Sequence, residues 1–217
     1  MKLKILVLAD IHNQDITLKG VLDAVLDFKI PPTFCLVAGD ITNFGTIADL
    51  NRILSIITPN FDETLFVVGN CDPYFELNEL ETSAKHIESK PHKTNSFITI
   101  GFGRQNPHIN QRILRKLNRA KERVCLLTHA PPFGTAADKV SFDRHAGSKE
   151  LKYTIARYPN IFLAISGHIH DSPTFDSING CTIVNPGPIT RGNFAVICIE
   201  EDFRVTGNIY NINEMGR

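Results

Sequence analysis

Apolar and polar positions along the chain switch between two periods, and the switching predicts a strand–helix–strand–helix–strand start. Residues 3–9 (LKILVLA) are apolar but for Lys4, the run expected of a strand covered on both faces. Leu18, Val21, Leu22, Val25 and Leu26 then recur at i, i+3, i+4, i+7 and i+8, which predicts an amphipathic helix. A second strand is predicted over 33–38 (TFCLVA) and a third over 64–68 (TLFVV). Between them, Ile47, Leu50, Ile53, Leu54 and Ile57 mark the inward face of a helix over 46–57. This rhythm calls for parallel strands joined by right-handed crossovers.

The pattern loosens further on. Residues 96–103 (SFITIGFG) predict a strand leading away from the parallel set, followed by a basic helix near 109–120. Strands over 124–128 (VCLLT) and 161–166 (IFLAIS) enclose a helix near 148–157. Asn179-Gly180, between TFDSI and CTIVN, is a type I′ hairpin signal, and 194–199 is expected to pair with 203–210 across Glu200–Asp202. No repeat, low-complexity tract or linker interrupts the 217 residues, so one α/β domain over 1–217 is the economical expectation.

Composition narrows the function classes. Apolar content of 42% and charged content of 21% suit a globular domain rather than a disordered one. With 23 basic and 23 acidic residues there is no general attraction to polyanions, so a nucleic-acid partner is not favoured. The basic stretch 111–123 keeps helical spacing at Ile113, Leu114, Leu117 and Ala120 and is expected to be a solvated outer face. No apolar run approaches the ~20 residues of a membrane span, and the charged start MKLK does not suit a signal peptide. The expected location is cytoplasmic, with no membrane partner. Cys35, Cys125, Cys181 and Cys198 sit in apolar runs as core residues would, in keeping with a reducing compartment.

The chemistry gathers where strands end. LKILVLA runs into Asp10-Ile11-His12, TFCLVA into Gly39-Asp40, and TLFVV into Gly69-Asn70-Cys71-Asp72. VCLLT runs into His129, and IFLAIS into Gly167-His168-Ile169-His170. Carboxyl ends of parallel strands share one edge, where ligands bind. Gly39, Gly69 and Gly167 would let the backbone turn sharply out of the sheet. Two Asp, one Asn and four His suit Mn, Fe, Zn, Co or Ni rather than an all-oxygen Ca site. Seven side chains exceed what one tetrahedral ion takes, and with one bridging carboxylate they serve two.

Read in order, D-x-H, GD, GN-x-D, a strand-terminal His and GH-x-H resemble the motifs of the calcineurin-like metallophosphoesterase superfamily, over residues 10–170. The compact length and the GNCD variant look most like its small bacterial and archaeal phosphodiesterases. The resemblance implies a four-layer α/β/β/α sandwich with two mixed sheets. It also implies a metal-dependent phosphodiesterase, acting on a small phosphoester with phosphomonoesters as a further class, through a hydroxide bridging two divalent ions such as Mn²⁺. Asp10, His12, Asp40 and His170 would hold one ion, and Asp40, Asn70, His129 and His168 the other, with Asp40 as the bridge. The superfamily also contains nucleases, cyclic-nucleotide phosphodiesterases and the retromer subunit, a protein-binding scaffold. Cys71 departs from the pattern, since many members carry a His there that assists the leaving oxygen; Asp72, the partner of that His, is retained.

Catalysis is therefore placed on Asp40, Asn70 and His129, with His145 (in SFDRHAGS) as a further phosphate contact in the cleft. His86, His92 and His108 lack supporting context and are expected at the surface. Loops 73–95 and 134–147 are expected to build the substrate pocket.

Overall fold

The structure is a computed structural model that describes residues 2–88, 90–94, 96–104, 108–141 and 144–215. The predicted start is present as β1 (Leu3–Leu8), α1 (Asp15–Leu26), β2 (Phe34–Ala38), α2 (Ile47–Ile57) and β3 (Glu63–Val67). A Thr46–Asp49 capping box opens α2, its side chains satisfying backbone N–H groups that the first turn leaves unpaired. Short strands β4 (Lys85–His86) and β5 (His92–Lys93), which the pattern does not predict, lead to β6 (Ile98–Phe102) and α3 (Gln111–Arg119). β7 (Val124–Thr128), a small ribbon of β8 (Lys139–Val140) and β9 (Arg144–His145), α4 (Lys149–Arg157) and β10 (Ile161–Ile165) follow. The chain ends in two hairpins, β11 (Thr174–Ile178) with β12 (Cys181–Asn185), and β13 (Asn193–Ile199) with β14 (Val205–Asn211).

Beside the β8–β9 ribbon, the strands form two mixed six-stranded sheets, as the resemblance implies. The first runs β14-β13-β1-β2-β3-β4 and the second β11-β12-β10-β7-β6-β5. β1, β2 and β3 are mutually parallel, with β13 antiparallel to β1. β6, β7, β10 and β12 form the parallel centre of the second sheet. Residues 96–103 thus do leave the first sheet, and they found the second.

Side-chain alternation explains the layering. On β1, Ile5 and Val7 point into a core shared with Cys125, Leu127, Leu163 and Ile165 of the second sheet. Leu6 and Leu8 point the other way, against Leu18 and Val21 of α1 and Leu50 and Ile53 of α2. A third apolar layer packs Leu114 of α3 and Leu151 and Ile155 of α4 on Val124, Leu126 and Ala164. Strands buried on both faces explain the unbroken apolar runs.

All five cysteines are free thiols; Cys35, Cys71, Cys125 and Cys181 are buried, while Cys198 is half-buried. On α3, Arg112, Arg115, Lys116 and Arg119 are exposed, as an outer face requires. His86 departs from expectation. It is sandwiched between Phe66 and Phe75 at ring distances of 5.2 and 5.1 Å, and its Nε2 lies 3.1 Å from Glu88. A one-residue motif gives no sign of such burial, because the aromatic partners come from separate segments. His92 is also drawn in, 2.9 Å from Glu63, whereas His108 is exposed. Among the described residues no helix is long and apolar enough to cross a membrane.

Candidate metal centre

The seven side chains named from sequence converge where the carboxyl ends of β1, β2 and β3 meet those of β7 and β10. Three overlapping groups have ligand atoms within 4.8 Å of one another: Asp10, His12 and His170; His12, Asp40 and Cys71; and Asp10, Asp40 and His129. Asp40 lies at the middle. Its Oδ2 is 3.7 Å from His12 Nε2 and 3.5 Å from His129 Nε2, while its Oδ1 accepts the Cys71 N–H at 2.8 Å. On one side His170 Nε2 is 3.5 Å from Asp10 Oδ1, and the His12 and His170 rings meet edge to face. On the other, Asn70 Oδ1 and His168 Nδ1 lie 3.0 and 3.2 Å from His129 Nε2.

Unusual backbone makes this convergence. Asp10, His12, Asp40 and His168 have φ of 53°, 47°, 50° and 70°, in the left-handed region that side-chain-bearing residues seldom occupy. Such strain persists only where surrounding bonds over-determine it. Here Asp10 N–H donates to Gly39 O, His12 N–H to Asp40 O, and His168 N–H to the Asp10 carboxylate. Asp72 ties the second and third strand ends together, its carboxylate accepting from Ile41, Thr42 and Gly69 N–H. Those bonds, rather than service to a neighbouring imidazole, occupy Asp72.

The glycines need a different account from the one expected. Only Gly39 takes a left-handed φ, of 87°. Gly69 and Gly167 are required by close approach: a Cβ on Gly69 would strike Asp40 Oδ1, and one on Gly167 would lie 2.6 Å from Ala9 Cβ and 2.8 Å from Asp10 Oδ2.

Electrostatics within the cluster are coupled. Burial works against the Asp40 charge, but His129, the Cys71 N–H and His12 overcome it and hold the carboxyl at about 2. Burial likewise opposes protonation of His129, and Asp40, Asp10 and the Ala38 carbonyl push it up to about 9. His168 is lowered by burial and by the charge of His129, while the hydrogen bond to Asp10 raises His170. In the protein alone, then, a proton on His129 supplies positive charge between the carboxylates.

The donor set fits divalent transition ions. It combines carboxylate oxygens, an amide oxygen and imidazole nitrogens. His129 Nδ1 donates to Ala38 O at 2.9 Å, the kind of outer bond that fixes a metal-binding imidazole and leaves Nε2 facing the cluster. Among the described residues, the buried His12 Nδ1 has no hydrogen-bond partner.

Cys71 belongs to the cluster more closely than its sequence context suggests. Its sulfur accepts from Asn70 Nδ2 at 3.2 Å, and burial and the Asp40 charge push the thiol up to about 12. His145 stands on β9, where its Nδ1 lies 2.7 Å from buried Asp138 and its ring packs on Phe133. The reading from sequence missed Arg104. Its Nη1 donates to Asn70 O at 2.9 Å and Asp72 O at 2.8 Å, and its guanidinium lies 4.5 Å from the Tyr74 ring centre. Nothing in its neighbours along the chain signals this, since it acts on residues 30 or more positions earlier.

A cavity of about 340 Å³ opens beside Asn70, His129 and His168. Its described walls come from the ends of β6 and β7, from Asn70, Ile109 and His168, and from the start of α4, and include no residue of the loops 73–95 and 134–147.

Residues 3–172 match the calcineurin-like phosphoesterase family. An uncharacterized protein of Methanocaldococcus jannaschii is 33% identical over 200 residues, covering 86% of this chain and 88% of its own. A protein of Ruthia magnifica subsp. Calyptogena magnifica, named a probable cyclic nucleotide phosphodiesterase, is 24% identical over 218 residues, covering 94% and 87%. In fold the chain is similar to a dimetal phosphatase from Danio rerio, with a TM-score of 0.68 at 12% identity over 97% of this chain and 96% of that one.

Proposed function

This chain belongs to the calcineurin-like phosphoesterase family, and from that premise we propose that it hydrolyses phosphodiesters with two divalent transition-metal ions, Mn²⁺ being the first to test. The observation that carries the reading is the position of Asp40 Oδ2 between His12 Nε2 and His129 Nε2. A carboxylate so placed can serve a group on each side. Asp10, His12 and His170 complete one group with it, and Asn70, His129 and His168 the other.

Asp10, His12, Asp40, Asn70, His129, His168 and His170 would hold the cations, whose chemistry there would be Lewis acidity toward phosphoryl oxygens and water. The protein supplies orientation. Asp40 stays ionised well below neutral pH, so its bridging charge persists through the working range. Ala38 O holds the His129 ring. Asn70 offers an amide oxygen to the cluster and an amide N–H₂ group that can orient a phosphoryl oxygen. Cys71, with its thiol pushed up to about 12, cannot supply a thiolate at neutral pH, and its S–H is a weak donor. The leaving oxygen therefore departs with little help from this position. Cyclic phosphodiesters are a second reading, favoured by the name of the Ruthia magnifica relative.

The test is metal dependence. Hydrolysis of a chromogenic phosphodiester is expected to vanish on chelation and return with Mn²⁺, with two ions bound per chain by elemental analysis. Full activity in metal-free protein, or one ion in a fully active enzyme, overturns the reading.

A further inference from the structure

The cavity beside Asn70, His129 and His168 has a chemical character that the metal cluster does not determine. Phe102, Ile109 and Leu151 form its apolar walls. The polar groups among them are largely occupied. Thr128 Oγ1 donates to Ala130 O at 2.9 Å and also lies 3.3 Å from Ile165 O. Ser148 Oγ accepts the Leu151 N–H as the cap of α4. Arg104 Nη1 is directed at the carbonyls of Asn70 and Asp72, and Glu150 Oε1 accepts the Ile109 N–H at 3.2 Å.

Among the described residues, a ligand group entering this space thus meets mainly carbon surface beyond the metal-ligand side chains. A sugar or a second phosphate would lose its hydration without replacement bonds, which is costly. The Glu150 carboxylate and the Arg104 guanidinium stand in the same wall with opposite charges, so together they give a second anion no net attraction. An uncharged flat ring loses little and buries apolar area. The volume, about 340 Å³, lies in the range of small-molecule sites and accommodates a one- or two-ring group.

We propose that this cavity holds one ester group of the substrate and selects an uncharged aryl or similarly flat apolar group, with Ile109 and Leu151 as the specificity-determining contacts. The proposal rests on the phosphodiesterase reading and names the substrate class within it. Direct preference for such esters over those with small or strongly hydrophilic groups follows from the walls alone.

Phenylphosphonate and methylphosphonate test it, because they carry the same charged group and a P–C bond in place of a scissile ester. Binding of each to the Mn²⁺-loaded protein is measured by calorimetry. Phenylphosphonate is expected to bind about thirtyfold more tightly, the effect of burying one ring. Ile109→Asn and Leu151→Asn should each remove most of that preference while leaving methylphosphonate affinity within about twofold. If Leu151→Asn does not fold, Ile109→Ala gives a milder loss of the same kind. Equal affinities in the wild-type protein, or a preference that survives in every folded variant, overturns the proposal. Failure of both phosphonates to bind the metal-loaded protein overturns it too, and by contrast with equal binding also removes support for the phosphodiesterase reading.

Discussion

Asp40 is surrounded in a way that separates its role from that of a peripheral residue. Its two oxygens divide their work, one accepting a backbone N–H from Cys71 and the other facing His12 and His129. Substitution Asp40→Asn removes the charge that both groups would share under the proposed reading. Outer partners of metal ligands typically cost 10–100-fold, so a direct shared ligand should cost at least about 100-fold in kcat, with loss of bound metal. His145→Ala is expected to stay within about tenfold, mainly in KM, because His145 is held by Asp138 outside the cluster. Steady-state kinetics with metal analysis on both variants checks the ranking, and near-wild-type kcat with full metal in Asp40→Asn refutes it.

His129 connects the same residues to pH. In the protein without metal its imidazole is raised to about 9, chiefly through Asp40 against the opposing effect of burial. A cation needs the neutral ring, so below that pH binding must release the proton. Apparent affinity for Mn²⁺ is therefore expected to rise about tenfold per pH unit from this group between pH 6 and 8, and to flatten above about 9. Calorimetric titrations in buffers of different ionisation enthalpy should report a proton released per His129 site. A pH-independent affinity over that interval refutes the assignment.

At the scale of elements, the strand-to-loop junctions do more than end the strands. The junction after β3 passes so close to the Asp40 carboxylate that any Cβ at residue 69 would overlap it. Gly69→Ala should thus depress metal content strongly. Gly180, in the turn between β11 and β12, also has a left-handed φ, of 78°, but a Cβ there meets nothing within 4 Å. Gly180→Ala should cost about 1 kcal/mol of stability through backbone strain alone and leave metal content unchanged. Denaturant titration together with metal analysis distinguishes the two glycines, and equal metal content in both variants contradicts the close-approach argument.

For the whole molecule, the two sheets are held face to face by one apolar layer, and the cluster spans both at their common end. Under the proposed reading, cations bound there would join first-sheet residues Asp10 and Asp40 to second-sheet residues His129 and His168. Binding to the native state alone, at about 100 times Kd, contributes about 2.7 kcal/mol. For a chain of this size that should raise the Tm by about 5–10 °C. An unchanged Tm at saturating Mn²⁺ contradicts a site formed only in the folded protein.

Local pattern was enough to place the strands that lead to the candidate ligands and the helices between them, because a strand covered on both faces is apolar throughout and a buried helix face repeats every 3.6 residues, whatever lies opposite. It also exposed the ligand-type residues, since they stand just past apolar runs: Asp10 directly after 3–9, His129 directly after 124–128, and Asp40 one glycine beyond 33–38. The hairpin at Asn179-Gly180 was equally legible, its turn chemistry being local; both residues take the left-handed φ it needs. Which strands share a sheet was not legible. Ile5 and Leu6 read alike in the sequence, yet one faces the second sheet and the other faces α1 and α2. The bond from His168 N–H to Asp10 joins residues 158 positions apart, and the burial of His86 depends on Phe66 and Phe75 from other segments. The grip of Arg104 on the Asn70 and Asp72 carbonyls and the apolar walls beside the cluster are of the same kind. Sequence determines which face of an element must be covered and what chemistry stands at its end; tertiary structure alone decides what covers it, because that depends on contacts between segments with no shared local pattern.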